Sequence, residues 1–120
     1  MKAYKLTDDQ SQTRNKTQWG ANVTHTATGT SNKLCTSSWL HFYTDPLIAV
    51  LMNCSHAAFS NPQLWECETA GEHLHEPLKS GCRTLTTIKQ LELPQITNNQ
   101  KVAFAILCAK QVYTNSKWNS

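Results

Sequence analysis

Proline and glycine are scarce in this chain, four of each in 120 residues. The glycines stand alone at positions 20, 29, 71 and 81, so no glycine-rich loop is present to cradle a phosphate, which argues against a P-loop or Rossmann nucleotide site. Long apolar runs are missing too. No segment approaches the ~18 consecutive apolar residues that a membrane span needs. The opening Met-Lys-Ala-Tyr-Lys-Leu has no apolar stretch of the secretory kind. The five cysteines are odd in number and include no Cys-x-x-Cys, which excludes a disulfide framework or a compact zinc knuckle and predicts free thiols, mostly buried. Strong charge of one sign is also absent. Eleven basic and eight acidic residues leave +3, short of the clustered basic stripe of a nucleic-acid binder. These absences predict a cytosolic protein with no membrane and no nucleic acid as a direct partner.

What is present is one domain's worth of chain with a 39% hydrophobic fraction, enough for a core. The most legible stretch runs from Trp39 to Asn53. An aromatic strand, Trp39–Tyr43, turns through Thr44-Asp45 into a helix from Pro46 to about Asn53. Asp45 suits the cap because its carboxylate accepts from free N–H groups of the first turn. Pro46 suits the first helical position because its missing N–H costs nothing there.

Elsewhere the pattern is coarser. Lys2–Leu6 reads as a short strand, and a strand around Gln18–His25 would place Trp19, Ala21 and Val23 on one face. Gln63–Thr69 alternates, with Trp65, Cys67 and Thr69 on the expected core face. Residues 70–82 read as a polar loop bounded by glycine, and Arg83–Leu93 as a returning strand stopped by Pro94. Thr97 caps a helix through Tyr113 that is apolar at every position from Val102 to Ala109. A helix apolar all round is expected to be buried, Ile106 and Leu107 included, so that Leu107→Ala would cost roughly 2–5 kcal/mol. The sum is an α+β domain over 1–113, with a small mixed or antiparallel sheet, a short helix after the Trp39–Tyr43 strand and a buried C-terminal helix. Residues 114–120 form a C-terminal tail.

Three groups of side chains carry possible chemistry. His73, His75 and Cys82 are zinc-type ligands crowded into one segment, but a structural zinc site needs a fourth. It would have to come from His41, His56 or Cys67, so no metal is expected. His41 and Tyr43 share a strand face and, with Glu66 or Glu68, supply the residue types of an acid/base group. Cys35 and Cys82 are the cysteines placed to be exposed, yet neither sits in a nucleophile signature. No cofactor is implied.

Several phrases together carry a resemblance. Ala3-Tyr4-Lys5-Leu6-Thr7, Gln18-Trp19, Leu34-Cys35, Trp39-Leu40-His41-Phe42-Tyr43, Asp45 to Leu51, Leu78-Lys79-Ser80-Gly81 and Ala105 to Ala109 resemble, in this order, a family of small uncharacterised bacteriophage and prophage proteins. The likeness spans residues 3–113. Members often carry an additional Ala-rich C-terminal region, and this chain stops before one could begin. The resemblance implies a phage accessory protein in a host bacterial cell, binding and inhibiting or modulating a host protein or complex such as a CRISPR-type immune effector. Interface energy concentrates in a few Trp, Tyr and Arg residues, which makes Trp19, Arg14 and Trp118 the expected binding residues. The step from aromatic strand to Asp-Pro and a short helix is also similar to part of the ADP-ribosyltransferase fold. That likeness implies an enzyme with His41, Tyr43 and Glu68 as its catalytic residues. A third reading is a zinc-stabilised interaction module built on the segment 73–82.

Overall fold

The structure, a computed structural model, describes residues 1–34, 36–52, 59–76 and 80–118, with side chains at 108 and 110–118 outside that description. Two long strands form its frame. β6 (Gln63–His75) and β7 (Ser80–Leu91) make an antiparallel hairpin, and β1 (Lys2–Thr7) pairs with the far edge of β6, Ala3 opposite Cys67 and Lys5 opposite Trp65. On its other edge β7 pairs with β5 (Leu40–Phe42) near one end and β4 (Val23–Thr26) further along. Backbone hydrogen bonds of 2.8 Å in both directions between Tyr4 and Tyr43 then tie β5 back to β1. β1, β6, β7 and β5 therefore form a closed antiparallel circuit. This is the α+β architecture expected from the sequence.

The circuit encloses the main core, because alternate residues of each strand point the same way. Ala3 from β1, Phe42 from β5, Trp65 and Cys67 from β6, and Cys82 and Leu85 from β7 form one buried cluster with Trp19. The core is laced with hydroxyls. Thr7 and Thr87 are fully buried, and the Trp65 indole N–H donates to Thr7 Oγ1 at 3.0 Å. Thr87 donates to the Gly20 carbonyl and accepts from the Gly20 N–H, which fixes the loop that inserts Trp19.

Several sequence expectations change here. The segment around Gln18–His25 is not one strand. A two-residue β3 (Thr17–Gln18) pairs with β2 (Gln12–Thr13), and the chain then turns through Gly20 (φ 149) and Asn22 (φ 58) before β4. Ala21 is exposed, whereas Trp19 is buried.

The supposed loop at 70–82 belongs largely to the hairpin, with His73 opposite Cys82 and His75 opposite Ser80. Its glycines serve a different purpose from loop-making. Gly71 takes a left-handed φ of 78° where the register shifts between Ala70 and His73, the setting of a β-bulge. Gly81 allows a close approach, since a Cβ there would lie 2.5 Å from Leu34 Cδ1 and 3.0 Å from Trp39 Cβ. Residues 77–79, with Leu78 and Lys79 among them, lie outside the described residues, as do Cys35, Cys54 and His56.

The two helices pack outside the circuit. α1 (Pro46–Met52) begins as expected, with the Leu47 N–H donating to Asp45 Oδ1 at 2.7 Å. Its Ala49 meets Leu6 and Leu64, the outward residues of β1 and β6. α2 (Asn98–Trp118) opens on a reciprocal cap. The Gln100 N–H donates to Thr97 Oγ1 at 3.1 Å, and the Thr97 N–H donates to Gln100 Oε1 at 2.9 Å. The helix continues through Trp118, across most of the stretch expected to be a tail.

Burial of α2 is also corrected. Phe104 is 8% exposed and packs with Leu51 and Met52, but Val102, Ile106 and Leu107 are 59%, 52% and 47% exposed. The apolar run does not lie against the sheet. The body of the protein covers Phe104 and leaves Val102, Ile106 and Leu107 to solvent.

Candidate interaction surface

The residues suspected of catalysis stand in three different settings. His41 lies on β5, half-buried, with its Nε2 2.6 Å from the Leu34 carbonyl oxygen, while its own carbonyl accepts from Lys5. Tyr43 packs among residues of both helix-covered clusters, and burial pushes its phenol above the ordinary tyrosine range. Glu68 is solvent-facing and pairs with the amino terminus of Met1. Neighbouring Glu66, held below the usual carboxylate range by its hydrogen bond to Lys2, faces outward too.

The zinc-type residues are each engaged with hydroxyls or the core. His73 Nε2 lies 2.7 Å from Thr69 Oγ1, and His75 Nδ1 lies 2.8 Å from Ser80 Oγ. The two imidazoles are nearly parallel, 12° apart with centroids 6.1 Å apart, and both meet Phe42 edge to face. Cys82, expected to be exposed, is fully buried, because it faces into the circuit from β7. Burial pushes its thiol up to about 11 and that of Cys67 to about 12, which removes both from the reactive thiolates. Among the described residues no cluster of three or more His, Cys, Asp or Glu side chains is arranged to hold a metal ion.

The expected binding residues are also separated. Arg14 is exposed in the short turn between β2 and β3. Trp19 is 2% exposed, its indole N–H donating to Thr13 Oγ1 at 3.0 Å and its ring edge-on to His25. It is a core residue and offers no face to a partner. Trp118 lies at the end of α2, with its side chain outside the described residues.

The surface that stands out instead is α2. Val102 and Ile106 are one turn apart on the helix and Leu107 adjoins Ile106, so three large apolar side chains share one solvent-facing region. Singly exposed leucines are ordinary, but a contiguous group is a mark of an interaction site. Lys101 and Lys110 bracket it in sequence, Lys117 follows, and no Asp or Glu occurs after Glu92. That run without acidic residues was a signal readable from the sequence. A shallow open groove elsewhere is lined by Pro62, Leu64 and residues 90–93, with Leu93 43% exposed at its rim. It gathers few converging polar groups, so it lacks the makings of an active site. Among the described residues no helix is long and apolar enough to cross a membrane. No family model matches the chain, and neither does any curated protein or solved structure.

Proposed function

We propose that this chain is a binding protein, a small accessory protein of phage type that acts on a host factor by stoichiometric occupation, with α2 as its contact surface. The exposure of Val102, Ile106 and Leu107 on a helix anchored by Phe104 carries this reading. A helix with exposed apolar residues and only basic charge suits a partner with an apolar groove bordered by carboxylates. The groove would take the leucine-type side chains and the border would pair with Lys101 and its neighbours. The resemblance to phage proteins directs attention to bacterial defence complexes as the class of partner.

The test uses immobilised parent protein and the Ile106→Asp/Leu107→Asp variant against a bacterial lysate. The parent should retain a host protein at about one copy per chain, and the variant should lose it while keeping the parent's circular dichroism spectrum. Equal retention by both proteins would remove α2 from the interface. Concentration-dependent dimerisation lost in the variant would assign α2 to a second copy of this chain and overturn the host-partner reading.

A further inference from the structure

β4 lies outside the closed circuit. One of its edges pairs with β7, Val23 opposite Thr87 and His25 opposite Leu85. The Ala27 N–H continues that ladder by donating to the Arg83 carbonyl at 2.7 Å. Antiparallel hydrogen bonds fall on alternate residues. Val23, His25 and Ala27 therefore turn their backbone groups toward β7, and Thr24 and Thr26 turn theirs away. Both threonines are exposed, and among the described residues nothing pairs with these outward N–H and C=O groups. Their side chains are held on one face, Thr24 Oγ1 2.7 Å from Thr86 Oγ1 and Thr26 Oγ1 3.2 Å from Thr84 Oγ1. The edge is ordered, with donors and acceptors facing solvent.

Sheet edges are ordinarily blunted by a lysine, a proline or a bulge, and Val23-Thr24-His25-Thr26 has none of these. We propose that β4 pairs antiparallel with β4 of a second copy of this chain, across a two-fold axis at His25. The register follows from the outward groups. Thr24 of each copy opposes Thr26 of the other and exchanges N–H···O=C bonds in both directions, while the two His25 residues meet on the axis. A two-fold axis sets each residue near its own counterpart, so a charge at the contact would meet its like. Residues 17–32 contain no Asp, Glu, Lys or Arg, which removes that repulsion and leaves nothing on this edge to select a charged peptide instead. The hydroxyl row also continues. Thr86, Thr24 and then Thr26 and Thr84 of the second copy would lie side by side on one face of the joined sheet.

This pairing is independent of the binding role of α2, and its test separates the two surfaces. The parent is followed by sedimentation and by amide hydrogen exchange from about 10 μM to about 1 mM, the range in which so small an interface should associate. A dimer should grow in, and the Thr24 and Thr26 amides should gain protection of about tenfold across the series. Thr24→Pro removes an outward N–H and no bond of the monomer, so it should keep the parent's circular dichroism spectrum and weaken the dimer at least about tenfold. Ile106→Asp/Leu107→Asp should dimerise as the parent does. A parent that stays monomeric over the whole range would overturn the proposal, and so would a dimer in which the two amides gain no protection. Should Thr24→Pro fail to fold, exchange in the parent still decides. A dimer kept in Thr24→Pro and lost in the α2 variant would move the contact to α2 and contradict pairing through β4.

Discussion

Replacing Phe42 by alanine should cost about 3–5 kcal/mol of unfolding free energy, the usual loss for an aromatic side chain removed from a closed core. Phe42 has no exposed surface and sits where β5 joins β7, opposite Ser80. Its ring meets Ala3, Trp65 and Cys67 through the enclosed cluster and takes the edges of His73 and His75. The backbone tie between Tyr4 and Tyr43 is one residue further on, so collapse of the site would pull against closure of the circuit. Denaturant melts of the purified variant measure the loss. A change below about 1 kcal/mol would mean that β5 is a peripheral strand rather than part of the enclosing wall.

Replacing Lys5 by methionine should stabilise the protein at pH 7 by about 2 kcal/mol. A fall in the lysine from 10.5 to about 8 corresponds to a cost on the order of 3 kcal/mol for burying the charge, from which the lost bond to the His41 carbonyl subtracts about 1 kcal/mol. The pH dependence separates this from a packing effect. Below pH 8 Lys5 is charged in both states and the cost is fully present. Between pH 8 and 10.5 the unfolded chain holds the proton that the folded chain has released, so the parent gains stability as pH rises.

The thiols act in the opposite direction. Cys67 and Cys82 keep their protons in the folded state up to about 12 and 11, whereas unfolded thiols lose theirs near 9, so stability falls as pH rises through 9 and beyond. Tyr43 adds to that fall at higher pH. The parent should therefore gain only about 0.5 kcal/mol from pH 7 to 9, because the thiols already offset much of the lysine's contribution there, and decline beyond. Lys5→Met should fall by about 1 kcal/mol over the first interval and further over the second. Parallel curves for the two proteins would show that Lys5 is not desolvated.

The features legible in the sequence were those set by near neighbours. Asp45-Pro46 and Thr97 are local caps, and the structure forms both, adding Gln100 as the reciprocal partner of Thr97. The alternation of Trp65, Cys67 and Thr69 placed the inner face of β6 correctly, because period-2 patterning depends on one strand alone. Misreadings came where a distant partner decides. Gly71 and Gly81 resembled loop markers, but one serves a bulge and the other admits Leu34 and Trp39 from elsewhere in the chain. Trp19, in a polar stretch, looked exposed and is drawn into the core by a loop fastened at Thr87. The direction of Lys5 could have been read from Ala3, Lys5 and Thr7 alternating with Tyr4 and Leu6. A lysine between two small residues nevertheless reads as solvent-facing until the strand's inner face is known.

α2 shows the same principle from the other side. An apolar run implies that something covers it, and the sequence pattern does not distinguish a cover within the chain from one outside it. The measurement that bears most directly on the role of α2 is a denaturant melt of Ile106→Ala/Leu107→Ala in the isolated protein. With both side chains solvent-facing, the variant should unfold within about 0.5 kcal/mol of the parent. A loss above about 2 kcal/mol would place these residues in a folded core and contradict their assignment to a partner.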